Sequence, residues 1–125
     1  KLTDEKKYDN CDNIWCYSSF GEVKKNISKY SDLTNIKLIK GPVEKTLLEE
    51  NNLPEKISVL ILDTDFYEST KKELEVLYPK LVKGGILIID DYGHWQGSRK
   101  AVDEYFANTK ILLQYVDYSS RLIVK

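Results

Sequence analysis

The 125-residue sequence has no methionine, a single histidine, two cysteines and three prolines. With no methionine, Lys1 is expected not to be the first residue of its gene. Two cysteines, Cys11 and Cys16, with no histidine near them cannot supply the four ligands of a structural zinc site. Free thiols in a reducing cytosol are expected, with one disulfide as the alternative, and this points to a cytoplasmic protein. No signal peptide is visible, and no apolar stretch approaches the ~20 residues of a membrane span. No Lys/Arg run exceeds two residues and the net charge is -1, so neither nucleic acid nor an anionic membrane is an expected partner. Repeats and low-complexity segments are absent.

What is present suits one globular domain over residues 1–125: 42% hydrophobic and 31% charged residues, enough for a core and too short for two. Residues 1–17 are polar, with Trp15 and Tyr17 as a lid or as local loop packing. Ser19-x-x-Glu22 has capping-box spacing, and Phe20, Val23, Ile27 and Tyr30 follow at helical intervals, predicting a helix over 19–30. "NIKLIKG" predicts a short strand over 35–41, and 43–51 a short helix. "ISVLILD" (57–63) and "GGILIID" (84–90) are almost continuously apolar, as strands buried on both faces are; the glycines of the second are expected in a turn before it. Between them, Thr70 and Glu73 offer a second capping box, and Leu74, Leu77 and Leu81 a stripe cut short by Pro79. A helix over 97–109 and a hairpin over 111–125, turning near Tyr118–Ser120, complete the order α-β-α-β-α-β-α-β-β. Such alternation predicts an α/β fold: a mostly parallel sheet with a C-terminal antiparallel hairpin.

Both apolar runs end in acids: Asp63 and Asp65 after the first, Asp90 and Asp91 after the second. Ligands of open parallel sheets bind beyond the carboxyl ends of the strands. If the two strands are neighbours, the four acids converge, and carboxylates so crowded raise one another's pKa unless a cation lies between them. A hard cation with oxygen ligands, such as Mg²⁺, fits. Asp63 and Asp65 share one side of an extended chain, roughly 7 Å apart, so one can hold a metal while the other faces a substrate. Taken singly, each Asp reads equally as a helix cap or turn residue.

"LDTDFYEST", "LYPKL", "GGILIIDDYG" and "AVDEYF" resemble the macrocin O-methyltransferase family, class I enzymes that use S-adenosylmethionine and Mg²⁺ on sugar hydroxyls. The resemblance is densest from Leu62 to Phe106. It implies a Rossmann-like sheet, with Asp63, Asp90 and Asp91 as metal ligands and Asp65 as general base. Thr64 stands where the family's Asp-Gly-Asp motif has glycine, beside the expected cofactor. Gly41 falls where the family approaches the adenine, or is a plain turn glycine. Tyr67 and His94 are candidate contacts for the acceptor, a sugar or similar small molecule; a helix start and an exposed loop histidine are the plainer alternatives. Arg99 and Lys100 read as solvated helix positions.

A class I methyltransferase opens with a strand, a Gly-rich turn and a helix, then a second strand ending in an acid for the ribose. This sequence contains none of these. The resemblance therefore implies the C-terminal part of such a domain, without its first two strands and unable to transfer a methyl group alone. A strand edge left bare would invite a second copy or another chain, unless the remaining strands pair directly. Two other functions compete: a haloacid-dehalogenase-like phosphatase, from "DTD" after an apolar strand, and a non-catalytic methyltransferase-like module.

Overall fold

The computed structural model describes residues 18–125; Cys11, Trp15, Cys16 and Tyr17 lie outside them. Its elements are α1 (Phe20–Ile27), α2 (Val43–Thr46), β1 (Ile57–Leu62), α3 (Tyr67–Leu77), β2 (Leu81–Ile89), α4 (Gln96–Tyr105), β3 (Gln114–Tyr115) and β4 (Arg121–Val124), with 3₁₀ turns at Glu50–Asn52 and Tyr78–Lys80. The strands form one mixed sheet in the order β1-β2-β4-β3. Only β1 and β2 run parallel; β4 is antiparallel to both of its neighbours. The mostly parallel sheet of the sequence analysis is thus corrected to one parallel and two antiparallel ladders among the described residues.

The core lies on one face of this sheet. Leu60 and Leu62 of β1, Leu87 and Ile89 of β2 and Ile123 of β4 meet Leu74 of α3, Val102 of α4 and Phe106 at the end of α4. Full burial of each such side chain stabilises by about 1.5–3 kcal/mol. Tyr78 seals one end, edge-on to Tyr105 and Phe106, while the Lys125 ammonium lies over its ring and donates to the carbonyls of Tyr78 and Pro79.

The opposite face is open where β1 forms the sheet edge: Val59 is 55% and Ile61 59% exposed. The first apolar run is therefore a one-sided edge strand and not one buried on both faces. Its continuous hydrophobicity hid the difference, because periodicity reports covered faces only when the uncovered one is polar. No strand forms over 35–41 among the described residues; Ile36 and Ile39 point to solvent. Among the described residues no strand lies beside that segment, so it has no ladder to join. β1 and β2 do pair directly, and the outer edge of β1 carries no strand among the described residues.

Four smaller corrections concern boundaries. The Ser19–Glu22 capping box is present, but α1 stops at Ile27 and Tyr30 is exposed. The helix expected over 43–51 is one turn, then a 3₁₀ turn. Gly84 and Gly85 lie inside β2: the ladder jumps from Ile57↔Leu81 to Val59↔Ile86, and Gly84 takes φ +79 in that bulge, a region L-residues avoid. Finally, Thr70 and Glu73 do not cap α3, which begins at Tyr67 with Phe66 as N-cap.

Those two residues do something else. Ser69, Thr70 and Glu73 form a buried polar face on α3. Thr70 Oγ1 donates to the carbonyl of Thr64 at 2.8 Å and Thr64 Oγ1 donates to Glu73 at 2.6 Å, so α3 grips the loop between Asp63 and Asp65. Ser69 donates to Glu44, tying α2 to the same face. Burial, opposed by the Thr64 hydroxyl and aided by Glu44 and Asp63, pushes the Glu73 carboxyl up to about 7. A carboxyl raised above its unfolded value favours the fold while neutral; that contribution is full below about 4.5 and is lost as pH rises through about 7, up to about 3 kcal/mol. Glu73→Gln, which can still accept from Thr64, is expected to raise the melting temperature by several degrees at pH 8 and to match wild type near pH 4.5. Melting curves that stay parallel over this range would show that Glu73 does not titrate in the fold.

Candidate active site

The parallel pairing of β1 with β2 sets the acids side by side. Leu62↔Ile89 is the last register pair, and the amide of Asp90 donates to the carbonyl of Leu62 at 2.9 Å. The two chains therefore leave the sheet together. Asp63, Asp90 and Asp91 each present a carboxylate oxygen within 4.8 Å of the others. Asp65 is close enough to act on two of them: burial first, then the Asp90 and Asp65 carboxylates, raise the Asp63 carboxyl. Burial, then Asp65, then Asp90 and Asp63, push Asp91 up to about 7.

Among the described residues, Asp91 Oδ2 is a buried polar oxygen with no hydrogen-bond partner. Such an atom is costly to leave unpaired. An all-oxygen set of three carboxylates, two exposed and one half-buried, suits a hard divalent cation, which would satisfy that oxygen and relieve the mutual repulsion. These residues fit the ion on chemistry and spacing alike.

The other sequence candidates fall into two groups. His94 joins the acids: its amide and that of Trp95 donate to the carbonyl of Asp91. Its ring stands edge-on to Trp95 at 5.2 Å and Tyr118 at 6.0 Å, with Phe66 against Trp95 at 6.3 Å. Tyr67, in contrast, turns toward α4, its hydroxyl donating to Glu104 at 2.6 Å and the Lys100 ammonium over its ring. Thr64 turns its side chain into the α3 polar face. Gly41 precedes α2 with φ +145 and would bring a Cβ to 2.9 Å from Thr46, which accounts for glycine there by backbone alone. Arg99 pairs with Asp103 and Lys100 with Glu104 along α4, beside a groove of about 430 Å³ that runs along that helix and not over the acids.

Sequence reasoning placed the hairpin turn near Tyr118–Ser120 but missed its contact with the acid loop, and it missed the aromatic neighbours Phe66, Trp95 and Tyr118. Adjacency to the acids was the available signal for the first two. For Tyr118 there was none, since it lies 27 positions after Asp91. The turn is locked to the second acid loop: Gly93 donates to the carbonyl of Ser119, and Ser119 Oγ to the carbonyl of Asp90, both at 2.7 Å. A Cβ on Gly93 would lie 1.9 Å from the carbonyl oxygen of Tyr118. Gly93→Ala must part the turn from the acid loop and is expected to destabilise by about 1–3 kcal/mol, read as a lower urea midpoint. Gly21→Ala on exposed α1, whose added Cβ meets nothing nearer than 4.0 Å, is the control and should stabilise slightly. Equal midpoints for the two variants would refute the tight contact.

The macrocin-O-methyltransferase (TylF) family profile matches residues 3–120. The demethyldecarbamoylnovobiocin O-methyltransferase of Streptomyces niveus is 38% identical over 92 residues, 72% of this chain and 34% of that protein. The 8-demethyl-8-(2,3-dimethoxy-alpha-L-rhamnosyl)-tetracenomycin-C 4'-O-methyltransferase of Streptomyces olivaceus is 36% identical over 85 residues, 67% of this chain and 31% of that protein. Among solved structures, the O-methyltransferase NovP superposes with a TM-score of 0.76 at 34% identity, covering 86% of this chain and 45% of its own. The chain spans about a third of the length of the curated relatives it matches. The described residues thus share an α/β methyltransferase fold with NovP, and with the profile match over nearly its whole length the chain belongs to the macrocin O-methyltransferase family.

Proposed function

We propose that this chain carries the metal-and-base part of an O-methyltransferase that moves a methyl group from S-adenosylmethionine to a hydroxyl of a sugar or glycoside, in the cytoplasm. The observation that carries the reading is the convergence of three carboxylate oxygens within 4.8 Å, with a fourth acid beside them. The rhamnosyl group in the name of the Streptomyces olivaceus relative supports the acceptor class. In this reading the β1-β2-β4-β3 sheet is the antiparallel-edged side of a Rossmann-like methyltransferase sheet.

Asp63, Asp90 and Asp91 would hold a divalent cation, Mg²⁺ being the expected ion. Such an ion, when bound, lowers the pKa of an acceptor hydroxyl, and S-adenosylmethionine supplies an electrophilic methyl. Asp65 accepts the hydroxyl proton on a carboxylate oxygen. The loop carrying it is clamped by Thr64, Thr70 and Glu73, so the base keeps a fixed position relative to the cation ligands. Fixed placement of reacting groups is itself a large part of the acceleration in a displacement of this kind. The His94 ring, packed against Trp95 and Tyr118 and following Asp91 in the chain, would orient the acceptor.

Calorimetric titration with Mn²⁺ should show one site, lost in Asp90→Asn; a variant with Asp63, Asp90 and Asp91 all changed to Asn that still binds like wild type would remove the metal from this reading. The base has a separate signature. Assayed in the gene product with whatever residues precede Lys1, Asp65→Asn should cut methyl transfer by roughly 10²-fold or more and leave Mn²⁺ affinity near normal. A fully active Asp65→Asn protein would falsify that assignment.

A further inference from the structure

We propose that the hairpin turn between β3 and β4 is a working part of the site, with Ser120 the positioning residue that sets the carboxylate of Asp90. The proposal rests on the metal reading above and adds a residue that lies 30 positions away from the acid it serves.

Asp117 organises the turn. Its Oδ1 accepts from the amides of Ser119 at 2.8 Å and Ser120 at 2.7 Å, an Asx-type turn that fixes both serines. These amide bonds hold its carboxyl below the usual range, so it stays ionised and the turn stays formed near neutral pH. Arg121 closes the turn from outside, donating to the carbonyls of Asp117 and Ser120, and its guanidinium is stacked over the rings of Tyr115 and Tyr92.

The two serines then point at one residue. Ser119 Oγ donates to the backbone carbonyl of Asp90 at 2.7 Å. Ser120 Oγ lies 3.0 Å from Asp90 Oδ1 and 3.4 Å from Asp117 Oδ2. A hydroxyl has one proton. The Asp117 carboxylate already takes two amide bonds, so the shorter contact, to Asp90, is the one the proton serves. Ser120 is buried, at 7% exposure, which keeps water from substituting for it. With one oxygen tied, the Asp90 carboxylate cannot rotate freely, which holds the oxygen it presents to Asp63 and Asp91 in place. Outer-shell partners of this kind commonly govern metal affinity by 10- to 100-fold.

The test is Mn²⁺ affinity, by calorimetry and by the Mn²⁺ electron paramagnetic resonance signal, together with the melting temperature in metal-free buffer. Ser120→Ala is expected to weaken Mn²⁺ binding about tenfold or more. Ser120→Thr, which keeps the hydroxyl, should restore most of it. Val116→Ala, on the exposed side of the same hairpin, should change nothing. If Ser120→Ala does not fold, Ser120→Cys has nearly the same volume and a much weaker donor, and should show the same loss. Wild-type affinity in folded Ser120→Ala or Ser120→Cys overturns the proposal and leaves the metal reading standing, as does an equal loss in Val116→Ala. A wild-type protein that takes up no Mn²⁺ overturns both.

Discussion

The parallel ladder between β1 and β2 is the contact on which the rest depends. It ends with Leu62 opposite Ile89, and the Asp90 amide extends it by one bond to the Leu62 carbonyl. Because the strands are parallel and in register, both chains pass out of the sheet at the same end, carrying Asp63 and Asp65 on one and Asp90 and Asp91 on the other. A one-residue slip of β1 would turn Leu60 and Leu62 out of the core and bring the shorter Val59 in. The apolar core thus enforces the register that crowds the acids.

That crowding opposes folding, and the structure shows what offsets it. Asp63, Glu73 and Asp91 are all raised, with burial as the leading cause in each. The balance comes from the sheet face packed under α3 and α4, and from hydrogen bonds that hold the acid-bearing loops without neutralising them. One loop is clamped from below by the polar face of α3. The other is clamped from the side by Gly93 and the β3–β4 turn. The bonds that hold the two loops come from hydroxyl and amide donors, which leave the carboxylates themselves unneutralised.

The same economy explains the glycines. Gly93 is needed because the backbone of Tyr118 comes where a Cβ would stand, and Gly84 because the bulge in β2 requires a positive φ. The bulge also lets the Gly84 amide and Gly85 carbonyl bond with Lys125, anchoring β4 along β2 and with it the turn that holds Asp90. Site and fold share these few contacts, which is why mutations in the hairpin should be felt at the acids.

Local sequence was sufficient to place the two acid-bearing strands, the flanking helices α1, α3 and α4, the closing hairpin and the four acids, because apolar runs, a capping box and strand-end carboxylates are properties of neighbouring residues. Thr70 and Glu73 show where that stops: their spacing is that of a cap, yet Thr64, six positions before Thr70, takes both side chains into a buried contact. The segment at 35–41 has strand-like residues and forms no strand, since a strand exists only where a partner offers a ladder. β1 reads as buried on both faces and is exposed on one, since coverage is set by what packs above it. And nothing near Asp90 in the chain announces Ser119, Ser120 or Asp117. They reach it only because β4 lies antiparallel along β2, and that is a fact of tertiary structure: hydrogen-bond partners 30 residues apart are chosen by strand order and not by local pattern.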